Sequence, residues 1–213
     1  MKTLIFGDNT FASLVHQESL FQNRRVDGFI VETETHRSMK RKHGLPVYLI
    51  DDLVSGDVII NGTTFQNRKG PDFLRRIKKI VINHDCKWSG FNSLEATNNS
   101  IKVSATAQVW RNAIMDYYAS VGEMSQIRPG VYVGHHAVIG RYCYLAPRCT
   151  FGSGASSGDN VFIGANSIVA PNVQLESNIV IAAGATVRKN VSSNSFVLPN
   201  GSVRKSDNPF RFI

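Results

Sequence analysis

The feature that most restricts the fold of this 213-residue chain is a six-residue period in its second half. Counting in sixes from Val103, the first position of each unit runs Val103, Val109, Met115, Val121, Ile127, Val133, Ile139, Leu145 and Phe151, and continues to Val187. Only Ser157 breaks the apolar rule. Four residues further into each unit stand Ala107, Ala113, Ala119, Ser125, Val131 and their successors, mostly small and never charged. Fifteen units follow without an insertion. A helix buries a stripe that recurs at three and four, so this pattern does not describe one. It suits short strands joined by turns, with both apolar positions pointing inward.

The fourth position carries the turn chemistry. From Gly154 it reads Gly154, Asn160, Asn166, Asn172, Asn178, Gly184 and Asn190, the two residue types that best tolerate a left-handed backbone. All seven are therefore expected to be left-handed turn residues. Cys143 and Cys149 fall on the inward small positions and read as core thiols. Together with Cys86 they show no metal-ligand spacing, which fits a free-thiol cytoplasmic protein.

Before residue 100 the chain reads differently. "KTLIFG", "DGFIVE", "LPVYLI" and "DVIING" read as strands, and "TFASLVHQESLF" and "GPDFLRRIKKI" as helices, the second with Pro71 near its first turn. Strands alternating with helices imply a small Rossmann-like parallel α/β sheet. The expected organisation is thus an α/β domain over 1–100, a repeat domain over 101–192 and a C-terminal tail over 193–213 that packs on the repeat.

Charge adds one constraint. The formal balance is +8, concentrated in "HRSMKRKHG" (36–44) and "RRIKK" (75–79). Neither run interleaves aromatics as a nucleic-acid-binding sheet does, so they read as solvated faces or as attraction for phosphorylated small molecules. No apolar run approaches the roughly 20 residues of a membrane span, and the N-terminus does not read as a signal peptide.

Within the repeat lies "VGHHAVIG" (133–140). Imidazole is the side chain best suited to moving protons near neutral pH. His135 occupies the exposed third position of its unit, with Tyr117 and Ser153 eighteen residues to either side, and His136 occupies the turn position, where histidine is among the enriched types.

The two halves together, with "VGHHAVIG", "CYLAP", "NVFIGANSIVAP" and "IAAGATVRKNV", resemble the bacterial nucleotide-sugar acetyltransferases that N-acetylate UDP- or GDP-linked amino sugars, and the related sialic-acid O-acetyltransferases. The resemblance implies a left-handed parallel β-helix in which three hexapeptides make one triangular coil. Residues eighteen apart then stack, and Glu123, Arg141 and Asp159 should form a charged column. It further implies a homotrimer with acetyl-CoA bound between subunits, a nucleotide-linked amino sugar as acceptor, and a role in surface polysaccharide or lipopolysaccharide assembly.

Residue by residue, the resemblance makes His135 the general base and places an oxyanion donor near Ser153. It runs the pantetheine arm past Ala165 and Ala183. Three positions differ from the family pattern. His136 stands where a carboxylate usually follows the base, Tyr144 replaces a second histidine, and Arg128 replaces an asparagine that faces the sugar. His136 and Tyr144 are thus possible auxiliaries and Arg128 a sugar contact. In the first half the glycine-rich loop keeps only Gly7, followed by Asp8 and Asn9, which argues against NAD. Gly7, Asn9, Glu32, Thr33 and Asn61, the last within "INGTT" (60–64), are candidate nucleotide-sugar contacts because they sit at the C-terminal ends of expected strands.

Two rival readings use the same residues. A γ-carbonic-anhydrase-like zinc enzyme needs three histidine ligands from neighbouring coils, and the repeat holds only His135 and His136. A binding protein with a degenerate site is the other.

Overall fold

A computed structural model describes residues 1–7, 9–33, 39–63, 70–93 and 99–212, with the side chains of residues 70–72 and 212 left undescribed. The chain divides into two compact units, Met1–Gly90 and Phe91–Ile213. The division falls ten residues before the expected one, because Phe91–Asn92 already pairs in parallel with Gln108–Val109 of the repeat.

The first unit is built on β1 (Thr3–Phe6), α1 (Thr10–Phe21), β2 (Gly28–Val31), β3 (Arg41–Lys42), β4 (Leu45–Leu49), β5 (Val58–Asn61), α2 (Gly70–Asn83) and β6 (Lys87–Ser89). The strand order is β3-β4-β2-β1-β5-β6. All neighbours are parallel except the edge hairpin β3–β4. Central strands that are apolar on both faces suit a sheet covered on both sides, and Leu4, Ile5, Phe29, Ile30, Ile59 and Ile60 are all essentially inaccessible. Both helices fall where expected, and the Asn9 side chain caps α1 by accepting from Ala12 N at 3.0 Å. β3 and β6 are additions to the sequence reading. Neither has apolar periodicity of its own, and each exists because a neighbouring strand offers it an unpaired edge.

The second unit is a three-sided parallel β-solenoid of hexapeptide repeats, a left-handed β-helix. Its first face stacks Lys102–Val103, Ser120–Val121, Val138–Ile139, Ser156–Ser157 and Gln174–Leu175. Its second stacks Ile114–Met115, Tyr132–Val133, Thr150–Phe151, Ile168–Val169 and Thr186–Val187. The third runs from Phe91–Asn92 through Gln108–Val109, Gln126–Ile127, Tyr144–Leu145, Val161–Ile163 and Ile179–Ile181 to Ser195–Val197. Partners in the body of the repeat are eighteen residues apart, as in Ile114↔Tyr132↔Thr150↔Ile168↔Thr186. The inward positions make one continuous core in which Val133, Leu145, Phe151, Ile163 and Val169 have no exposed surface. Ser157, the odd inward residue, is buried and accepts from Gly140 N at 3.1 Å, so its polarity is satisfied locally.

Six of the seven fourth-position residues have positive φ, from 56° at Asn166 to 72° at Gly184. Asn190 does not. After Val187 the spacing shortens, Ile179 pairing with Ser195 and Leu175 bridging to Val191, and the Asn190 carboxamide instead accepts from Gln174 N at 2.9 Å. The same backbone is imposed on Tyr118, Met124, Tyr142 and Arg148, whose side chains do not favour it, so coil closure overrides local preference there. The expected charged column is present: Arg141 binds Asp159 through Nη2 at 2.6 Å and Nε at 3.0 Å, and Glu123 adds its field to the same guanidinium. The tail extends the third face with antiparallel Val203–Lys205 and packs Pro209–Phe212 against Ile179–Ile181.

Cys143 and Cys149 lie wholly inside the solenoid, and desolvation pushes their thiols up to about 11 and about 12. Cys86 is buried in the first unit and is also pushed up, chiefly by desolvation. The native protein is therefore expected to resist Ellman's reagent at pH 8. All three thiols should react once it is unfolded in guanidinium. Rapid release of even one equivalent from the folded protein contradicts these placements.

Candidate functional site

Between the second and first faces the chain turns through Gly134, His135, His136 and Ala137, closed by Ala137 N donating to Gly134 O at 3.2 Å. His136 takes the left-handed position at φ 58°. Gly134 is required for close approach, since a Cβ there would stand 2.5 Å from Ser153 N. The turns of successive coils therefore seat directly on one another. His136 N donates to Tyr117 O at 3.0 Å, and Gly154 N donates to His135 O at 2.8 Å. His135 thus sits between Tyr117 and Ser153, the neighbours expected from the period, and its ring is exposed. The Ser153 N–H has no acceptor among the described residues, so a backbone donor stands open one coil away from the imidazole.

The two imidazoles touch. His135 Nδ1 and His136 Nδ1 are 3.1 Å apart, with the rings nearly perpendicular at 88°. The Tyr118 ring lies against His136 at 4.8 Å between centroids. One coil below Gly134, Asp116 Oδ2 accepts from Tyr132 Oη at 2.5 Å, which raises the phenol above its usual range. Sequence reading missed Asp116 and Tyr132. The signal was available, since Asp116 lies eighteen residues before Gly134.

The remaining solenoid candidates lie elsewhere on the coil. Arg128 is at the corner between the third and second faces, buried, with its guanidinium 3.9 Å from the centre of the Trp110 ring. Tyr144 is on the third face, stacked flat on Phe162 at 5.4 Å. Its phenol is raised mainly by burial, and the Arg128 charge pulls it partly back. Ala165 and Ala183 stack at the same corner as Arg128, and a Cβ on Gly164 would lie 2.4 Å from Ala183 N. Neither alanine N–H has an acceptor among the described residues. Within one chain these four residues and His135 are therefore on different parts of the triangle.

In the first unit, Gly7, Glu32, Thr33 and Asn61 come together at the C-terminal ends of the adjacent strands β1, β2 and β5. Gly7 holds φ 104°, a backbone that side chains rarely adopt, and donates to Ile30 O at 2.7 Å. Several of these residues have structural work. Glu32 pairs with Arg76 of α2. Asn61 is buried, and its Oδ1 accepts from Thr63 N at 3.0 Å and from Thr63 Oγ1 at 2.7 Å. Asn9 caps α1. Asp8, Thr64 and residues 36–38 of the basic run lie outside the described residues. Within that run Arg41 donates to Gly44 O, and the Lys42 ammonium lies 6.0 Å from the Phe29 ring centre. No group of three or more His, Cys, Asp or Glu side chains that could hold a metal occurs among the described residues. No described helix is long and apolar enough to cross a membrane.

Residues 118–153 and 158–189 match the family described as bacterial transferase hexapeptide (six repeats). No curated protein sequence matches the chain. Among solved structures, the fold is shared with PerB from Caulobacter crescentus, whose crystal structure is in complex with CoA and GDP-perosamine. The TM-score is 0.80 at 15% identity, over 96% of this chain and 97% of that one. The acetyltransferase domain of PglB from Neisseria gonorrhoeae FA1090 aligns with a TM-score of 0.54 at 18% identity, over 92% and 95% of the two chains. WeeI from Acinetobacter baumannii AYE aligns with a TM-score of 0.50 at 13% identity, over 96% and 99%. At these identities the likeness is one of fold.

Proposed function

We propose that the chain is an acetyl-CoA-dependent acetyltransferase that acetylates the amino group of a nucleotide-linked amino sugar, in the assembly of a surface polysaccharide such as lipopolysaccharide. The observation that carries this reading is His135, exposed on a solenoid turn and held by Gly134 beside the open N–H of Ser153. A base and an oxyanion donor on successive coils are what acyl transfer from a thioester requires.

The chemistry follows from those two groups. The acceptor nitrogen attacks the thioester carbonyl as His135 Nε2 takes its proton. The carbonyl oxygen, now negative, is met by the Ser153 N–H. The tetrahedral centre collapses with cleavage of the carbon–sulfur bond, and the proton passes from His135 to the departing thiolate. The products are the amide and free CoA, with the imidazole restored to neutrality. No side chain of the protein is acylated, so transfer is direct. A hydroxyl acceptor would use the same base.

Acetyl-CoA is assigned to the groove past Ala165 and Ala183, whose open N–H groups and lack of bulk suit the amide-bearing pantetheine arm. In one chain that groove is remote from His135, so the working unit is a homotrimer in which the third corner of one copy faces His135 of the next. The surface around His135 supports this arrangement. Ile114, Tyr117, Tyr118, Val138 and Ile168 are 45–61% exposed, an apolar surface that a second copy would cover. Arg128 and Tyr144 are assigned to the same composite site. The Rossmann-like first unit is assigned the nucleotide, at the strand ends that carry Gly7, Glu32, Thr33 and Asn61.

Purified protein is expected to transfer acetyl from acetyl-CoA to at least one member of a panel of UDP-, GDP- and dTDP-amino sugars. It is expected to sediment at three times the 23.5 kDa chain mass. A monomer at micromolar concentration removes the composite site, and no transfer to any amino sugar on the panel removes the activity.

A further inference from the structure

The contact between the two histidines does more than form a turn. Two Nδ1 atoms 3.1 Å apart share one hydrogen, so one ring donates and the other accepts. The arrangement in which His136 donates puts the remaining proton of neutral His135 on Nε2. His135 then offers a donor where a base is needed, and it cannot take up a proton at Nδ1 without breaking the contact. The arrangement in which His135 donates has neither defect. Its Nε2 keeps a lone pair, and when Nε2 takes a proton the Nδ1–H bond survives as a stronger, charge-assisted one.

We infer that His136 is a positioning residue whose Nδ1 accepts the Nδ1–H of His135, fixing His135 in the tautomer that exposes a basic Nε2. This rests on the reading of His135 as the base. The local structure supplies the rigidity that the role needs. His136 is locked at φ 58°, its N–H is bound to Tyr117 O, and the Tyr118 ring backs its imidazole. A neutral imidazole thus takes the place a carboxylate would fill, accepting the same hydrogen without contributing a negative charge.

The test uses His136→Gly, because glycine suits this backbone and the equivalent turn one coil on is already made by Gly154 at φ 67°. The folded variant lacks only the ring. In ¹⁵N–¹H correlation spectra of histidine-labelled protein, with His135 assigned by His135→Gln, the wild-type His135 is expected in the Nδ1–H form. His136→Gly should shift it towards Nε2–H and lower kcat about tenfold with the KM for acetyl-CoA unchanged. His136→Asn, whose carboxamide oxygen can also accept, should restore most of both readouts. Finding wild-type His135 as Nε2–H, or a His136→Gly variant with neither tautomer nor kcat altered, overturns the inference. The tautomer is read without substrate, so it stands or falls separately from the activity.

Discussion

His135→Ala is expected to lower kcat for acetyl transfer by about 10²–10⁴ while leaving acetyl-CoA affinity nearly intact. The side chain is exposed at the apex of a turn whose backbone bonds, Gly154 N to His135 O and His136 N to Tyr117 O, do not involve the ring. Removing the ring should therefore spare the fold, and a loss appears in the chemical step. His135→Asn should behave in the same way. Steady-state kinetics with each substrate varied in turn, beside equilibrium titration of acetyl-CoA, separate the effects. A variant that retains wild-type kcat excludes His135 as the base. One that loses acetyl-CoA binding to the same extent makes the residue a cofactor contact. Because Ser153 N–H belongs to the backbone, the residual rate should remain above the uncatalysed one, as oxyanion stabilisation and positioning persist without the base.

Phe151→Ala is expected to be the most damaging single change to stability, by about 3–5 kcal/mol, or roughly 6–20 °C in Tm. Phe151 has no exposed surface and is among the largest fully buried side chains of the solenoid. Its strand pairs with Tyr132–Val133 below and Ile168–Val169 above, so the cavity would sit between three coils. A solenoid is held by contacts between neighbouring repeats, so weakening one interior coil weakens the coupling on both sides. Calorimetry of the variant against the wild type measures the effect. A change below about 1 kcal/mol, the scale of an ordinary surface substitution, would mean that the coil collapses onto the space and that its packing is not rigid.

Much of the solenoid was legible because its long-range partners are written into a local period. In an ordinary sheet the partner of a strand depends on the whole topology. Here the partner of Thr150 is Ile168 because three six-residue units close one coil. The Arg141–Asp159 pair and the neighbours of His135 followed from counting once the family resemblance set three hexapeptides to a coil. The period also exposed its own end, although not correctly at Asn190. That residue keeps the composition of a turn, but beyond Val187 the spacing drops to sixteen.

The first unit was legible only in part. Its helices and central strands have patterns of their own, whereas β3 and β6 have none. Their existence depends on the open edges that β4 and β5 present, which is a property of the assembled sheet. The candidate nucleotide residues follow the same logic. Strand ends predicted their neighbourhood, but only packing engaged the Glu32 carboxylate with Arg76 and turned Asn61 Oδ1 inward on Thr63.

By itself, then, the sequence determined the coil, its register and the placing of His135 on a turn, because each depends on residue type at fixed spacing. Tertiary structure decided how the neighbouring imidazole is used. Adjacent residues on a chain ordinarily diverge. His135 and His136 meet because coil closure forces His136 into a left-handed backbone and the ring of Tyr118, from the coil below, lies against it. Side-chain direction at such a turn depends on the backbone of two coils together, which a one-dimensional pattern does not carry.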